Sequence, residues 1–85
     1  MASHERVVRA VPLWLMRDYL VDAGGTVAGD GRVTGNGWAV TLEQVEDFHL
    51  GVLKIGQVRF YAEGDDAALA ALMTVMEDKL VRAGG

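Results

Sequence analysis

What most restricts the fold of this chain is a switch in hydrophobic period, from 3.6 residues at its flanks to two residues in between. From Pro12, the positions Pro12, Leu15, Met16, Tyr19, Leu20 and Ala23 draw one stripe along a helix. Near the end, Leu69, Leu72, Met73, Met76, Leu80 and Ala83 draw a second. Between them Trp38, Val40 and Leu42 alternate with Ala39, Thr41 and Glu43, and Val58, Phe60 and Ala62 alternate with Arg59, Tyr61 and Glu63. That is the pattern of half-buried strands. Every element has one apolar side, so helices and sheet must bury against each other as two layers.

Turn chemistry divides the pattern. Arg6 to Val11 reads as a short strand, and Pro12 follows where a helix can start because first-turn N–H groups need no partner within the helix. Gly24-Gly25 reads as that helix's stop. Thr26 to Ala28 and Arg32 to Thr34 flank Gly29-Asp30-Gly31, and Asp-Gly favours a tight hairpin. Gly35-Asn36-Gly37 reads as a further turn or a bulge, followed by the Trp38 strand and by strands at Phe48 to Ile55 and Gln57 to Glu63, divided near Gly56. Asp65 or Asp66 caps the last helix, while Lys79 and Arg82 suit its negative end. The expected fold is α+β, a two-layer β-α-β4-α domain over residues 1–85, with an antiparallel sheet and both helices on one face.

With no cysteine among 85 residues, disulfides, thiolate metal sites and a cysteine nucleophile are excluded. The formal charge of −4 has the wrong sign for binding driven by phosphate counterion release, so no nucleic-acid partner is expected. No apolar run approaches the ~20 residues that span a bilayer. The expectation is a cytoplasmic protein with no membrane partner.

The candidate chemistry is thin. Gly29, Gly31, Gly35 and Gly37 precede a strand rather than a helix, which suits turns better than a phosphate loop. Glu43, Glu46, Asp47 and His49 form the densest set of ligand types, but a strand spreads them apart, and a solvated turn rim is the expectation. His4 reads as a solvated residue near a mobile terminus. Ser3 and the threonines have no base and orienting acid at recognisable spacing, so no enzyme activity, cofactor or metal is expected.

Two surfaces stand out for partner binding. Trp14 falls opposite the first helix's apolar stripe, beside Arg17 and Val21, a composition typical of interface hot spots and suited to self-association or a protein partner. Arg59 and Tyr61, on the outward side of their strand, form the second. The last six residues, Leu80-Val81-Arg82-Ala83-Gly84-Gly85, echo Leu20-Val21-Asp22-Ala23-Gly24-Gly25. The internal copy cannot be a carrier tail, so the echo favours a helix stop at Gly84 over a tail activated at Gly85.

The element order, the Val-Pro-Leu-Trp-Leu-Met-Arg-Asp-Tyr-Leu opening, the middle ending at Gly35-Asn36-Gly37-Trp38, and the Arg-Ala-Gly-Gly end together resemble a known family. The chain is similar to the C-terminal domain of MoaD-related proteins, in which a domain of TBP-like fold follows a sulfur carrier of molybdopterin-synthase type. The resemblance implies a TBP-like fold and an association with molybdenum-cofactor biosynthesis, and it transfers no catalytic residue. The leading expectation is a non-enzymatic accessory or interaction domain, whose protein partner is a sulfur-carrier or molybdopterin-synthase component. Its alternatives are a carrier activated at Gly84-Gly85 and a small-ligand binder using the sheet face left open by the helices.

Overall fold

A computed structural model describes residues 1–82. Along the chain run β1 (Ala2–Arg9), α1 (Leu13–Asp22), β2 (Thr26–Gly29), β3 (Arg32–Gly35), β4 (Trp38–Leu50), β5 (Leu53–Gly64) and α2 (Asp66–Arg82). The strands form one sheet in the order β1-β5-β4-β3-β2, with every neighbouring pair antiparallel.

Strand alternation sorts the sheet into two faces. Val8, Val33, Trp38, Val40, Leu42, Val58, Phe60 and Ala62 point to one, where they pack in a single core with Met16 and Leu20 of α1 and Leu69, Leu72, Met76 and Leu80 of α2. Both helices therefore cover the same face. Leu15 and Met73 are only partly buried, at the margin of that core. Among the described residues no polar or charged side chain is buried. Lys79 of α2 reaches Asp22 of α1 at 3.7 Å and lies 5.5 Å from the Tyr19 ring centre, linking the helices at the surface.

The helix ends follow from local chemistry. Pro12 is the N-cap of α1, its carbonyl accepting from Leu15 and Met16 N–H. At the other end Gly24, with φ +100°, donates to Val21 C=O, and Gly25 donates to Leu20 C=O. This pair of bonds is the Schellman stop, and the left-handed residue it needs is a glycine. The Gly84-Gly85 copy lies outside the described residues. For α2, Asp65 C=O accepts from Leu69 N–H and Asp66 sits in the first turn.

Three expectations need correction. The TBP-like β-α-β4-α assignment is overturned. Although the elements follow one another in that order, order along a chain does not fix a fold family. The strands make a β-grasp-like, five-stranded antiparallel sheet carrying two helices, with half the described residues in strand and a third in helix.

The strand expected over Phe48 to Ile55 is also wrong, because the chain reverses inside it. Gly51, at φ +61°, takes the first turn position after Leu50, and Leu53 pairs back onto Leu50. Glycine at that position is what a tight two-residue hairpin needs. The two long strands, 13 and 12 residues, reach about 40 Å at ~3.3 Å per residue. They account for the molecule's 42 Å long dimension against 24 and 21 Å across. Finally, β1 begins at Ala2, so His4 is a strand residue opposite Ala62 rather than part of a mobile terminus.

Candidate functional site: the uncovered sheet face

The face away from the helices carries, strand by strand, Ser3, Glu5, Val7 and Arg9 of β1, then Gln57, Arg59, Tyr61 and Glu63 of β5. Ala39, Thr41, Glu43 and Val45 of β4 follow, then Arg32 and Thr34 of β3. Its central part is a lattice of opposite charges. Arg59 donates to Glu5 across β1–β5 at 2.7 Å, and it lies directly opposite Glu43 in the β4–β5 register. Arg32 donates to the Thr41 hydroxyl at 3.2 Å. The Glu5 hydrogen bond, reinforced by Coulombic attraction to Glu5 and Glu43, raises the Arg59 pKa above its already high usual value. Arg59 is thus a permanent cation, paired with Glu5 and facing Glu43 across the β4–β5 ladder. Thr41, Glu43, Arg59 and Tyr61 border a pocket of about 150 Å3.

Toward the β4–β5 turn the same face becomes apolar. Between Val45 and Phe48 the register slips by one residue, a bulge that places two β4 residues, Glu46 and Asp47, against Gly56. Gln57 holds it: its side-chain amide donates to Glu46 C=O at 2.8 Å, and its amide oxygen accepts from Arg9 Nε at 3.0 Å. The Arg9 guanidinium also stacks 3.8 Å over the Phe48 ring centre. Beyond the bulge, Phe48 pairs with Ile55 and Leu50 with Leu53. Leu50 and Leu53 are exposed, and Val52 at the tip is 99% exposed.

Of the expected partner-binding residues, Arg59 and Tyr61 stand on this face. Trp14 (57% exposed) and Val21 are exposed and Arg17 is partly so, all on α1, which packs on the opposite side of the sheet. The two expected surfaces therefore lie on opposite sides of the sheet. The hairpin residues Phe48, Leu50, Val52 and Leu53 were not anticipated. Their signal is the pair of apolar alternations flanking Gly51-Val52, hidden because Gly56 drew the turn to itself. Glu43, Glu46, Asp47 and His49 do not converge, and among the described residues no three His, Asp or Glu side chains gather as metal ligands. No described helix is long and apolar enough to cross a membrane.

The glycines expected as turns have a further cause. A Cβ on Gly25 would lie 2.7 Å from the Trp38 ring and 2.6 Å from Val33, and one on Gly35 would overlap the indole itself. Gly25 and Gly35 thus make room for Trp38; of the four glycines in the phosphate-loop pattern only Gly35 does so, while Gly31 and Gly37 take positive φ at the turns.

The chain is thus a two-layer, β-grasp-like domain with one covered and one open sheet face, the open face charged at its centre and apolar along the β4–β5 hairpin. Residues 4–85 match the family described as archaeal MoaD-like protein, and the chain belongs to that family. No curated protein matches the sequence.

Proposed function

We propose that the chain is a non-enzymatic interaction domain that serves a molybdopterin-synthase or sulfur-carrier system, docking a protein component through its uncovered sheet face. The observation that carries this reading is the composition of that face: the Glu5–Arg59 ion pair, with Glu43 opposite it in register, running into half-buried Phe48 and exposed Leu50, Val52 and Leu53. Apolar anchors beside oriented charges are how protein interfaces combine affinity with register. Membership of the MoaD-like family supports the kind of partner. The 150 Å3 pocket is below the ~300 Å3 at which small-molecule sites begin, which disfavours the ligand-binding alternative.

Calorimetric titration against the sulfur carrier and the molybdopterin-synthase catalytic subunit of the same host tests this. Binding to one of them, weakened at least about tenfold by Leu50→Ser/Leu53→Ser, supports it. Binding that this double variant leaves unchanged places the contact elsewhere.

Family membership also favours a second reading, in which Gly85 is itself activated. Incubation with ATP, a carrier-activating enzyme and a sulfur donor that displaces AMP from the adenylate, followed by intact mass measurement, separates the two. An acyl-adenylate or thiocarboxylate that disappears when Gly85 is deleted replaces the interaction reading with the carrier one.

A further inference from the structure

The two edges of the sheet are unlike. β2 is four residues long, slips register between Val27 and Gly29, and runs into Asp30-Gly31. Short and bulged edges resist pairing with other chains. β1 is eight residues long, contains neither glycine nor proline, and keeps unbroken register with β5 from Ala2 to Arg9. It is an unbroken edge, and at its middle Val7 is 50% exposed.

Which backbone groups are free follows from the ladder. Ala10 N–H donates to Gly56 C=O at 3.0 Å, one step beyond the Arg9–Gln57 pair. Hydrogen-bonded pairs alternate along an antiparallel ladder, so the even-numbered residues of β1 bond β5. Ser3, Glu5, Val7 and Arg9 then direct their N–H and C=O groups outward. A second strand can meet this edge only in a register that pairs these residues with one another.

We propose that this edge pairs antiparallel with the same edge of a second copy of the chain, Val7 facing Val7 on the two-fold axis, to give one continuous sheet across the dimer. In that register Glu5 stands opposite Arg9 of the second copy, and Arg9 opposite Glu5, on the open face. Other symmetric registers are worse: centring on Glu5 sets like carboxylates together, and centring on Arg6 sets like guanidinium groups together, both unfavourable across a ladder. The Val7 register alone pairs opposite charges on both flanks and covers the exposed valines. Only the Nε of Arg9 is engaged by Gln57, so its terminal nitrogens can turn from the stack on Phe48 of β4 toward the second copy. The open faces of the two copies remain free, so the dimer does not depend on the proposed partner.

The chain has no cysteine, which makes cross-linking a clean test. Paired residues across such a ladder have Cα atoms about 5.5 Å apart, within disulfide reach. Val7→Cys should form a disulfide-linked dimer rapidly under mild oxidation, and Val27→Cys on the other edge should not. Light scattering of the unmodified chain should give the dimer mass. Val7→Pro removes an outward N–H without touching the β5 ladder, so it should leave the circular-dichroism spectrum intact and weaken dimerisation by at least about tenfold. Glu5→Arg and Arg9→Glu should each weaken it, and the double exchange should recover it. A monomeric mass at tens of micromolar, cross-linking no faster at Val7 than at Val27, or a dimer indifferent to Val7→Pro would each overturn the proposal.

Discussion

The indole of Trp38 occupies the space that any side chain on Gly35 would need. Trp38 lies opposite Gly35 in the β3–β4 register and folds back over it into the core. Gly35→Ala should therefore destabilise the domain by the ~1–3 kcal/mol typical of overpacking, measured by urea denaturation. Gly56→Ala is the control. A Cβ there meets only the Gln44 amide, at an ordinary 3.8 Å, and stability should stay within about 0.5 kcal/mol. Equal effects of the two substitutions would contradict this account of the glycines.

The two tryptophans should behave oppositely. Trp38 is packed in the core, so Trp38→Ala should cost about 3–5 kcal/mol, as buried aromatics do. Trp14 on the outer side of α1 is 57% exposed, and Trp14→Ala should cost less than about 1 kcal/mol. If α1's outer face also binds, Trp14→Ala, Arg17→Ala and Val21→Ala will weaken association while melting temperatures hold. A large loss of stability at Trp14 would instead make it part of the packing.

Much of this was legible in the residues, for reasons that differ by element. The stripes of α1 and α2 were readable because a helix confined to one face of a sheet must repeat its apolar side, and Met16, Leu20, Leu69, Leu72, Met76 and Leu80 are buried accordingly. The reversal at Gly51 was not. Phe48, Leu50, Leu53 and Ile55 are apolar on both sides of the turn, so no polar break marks it, and the bulge at Glu46-Asp47 shifts the alternation by one residue. The strand start at Ala2 was missed because Ser3, His4 and Glu5 lie on an edge strand, where polar residues cost little. The charge lattice was half visible. Outward Arg59 and Tyr61 follow from alternation, but the meeting of Arg59 with Glu5, 54 positions away, depends on β1 lying beside β5.

Arg59 also sets an expectation for pH. Its folded pKa is raised, chiefly by the hydrogen bond to Glu5, so its contribution is fully present below the ordinary arginine pKa and fades only as pH climbs through the raised value. Both lie far above neutral. Arg59→Gln should therefore leave the shape of the melting-temperature profile unchanged from neutral to mildly alkaline pH. Added salt should shrink the difference between variant and parent, since the pair is exposed. A profile that bends near neutrality only in the parent chain would show that another titrating group depends on Arg59.

The last expectation concerns Gln57, which ties the bulge to the edge strand by accepting from Arg9 and donating to Glu46 C=O. Its planar amide offers an acceptor and a donor on one group. Gln57→Ala removes both bonds and should lower stability by about 1 kcal/mol. The loss should be local, because Val58 and Phe60 hold the rest of β5 in the core. Hydrogen exchange should therefore accelerate in the amides of residues 45–56 and stay slow in the even-numbered residues of β1 and the core half of β5. Gln57→Glu separates the two bonds. It keeps an acceptor for Arg9 and strengthens it by charge, but it sets a carboxylate against the Glu46 carbonyl. If the bond to Glu46 governs the hairpin, the glutamate variant will exchange as fast as the alanine one; if Arg9 governs it, the glutamate variant will remain protected. Exchange unchanged in both would mean that strand pairing alone holds the hairpin.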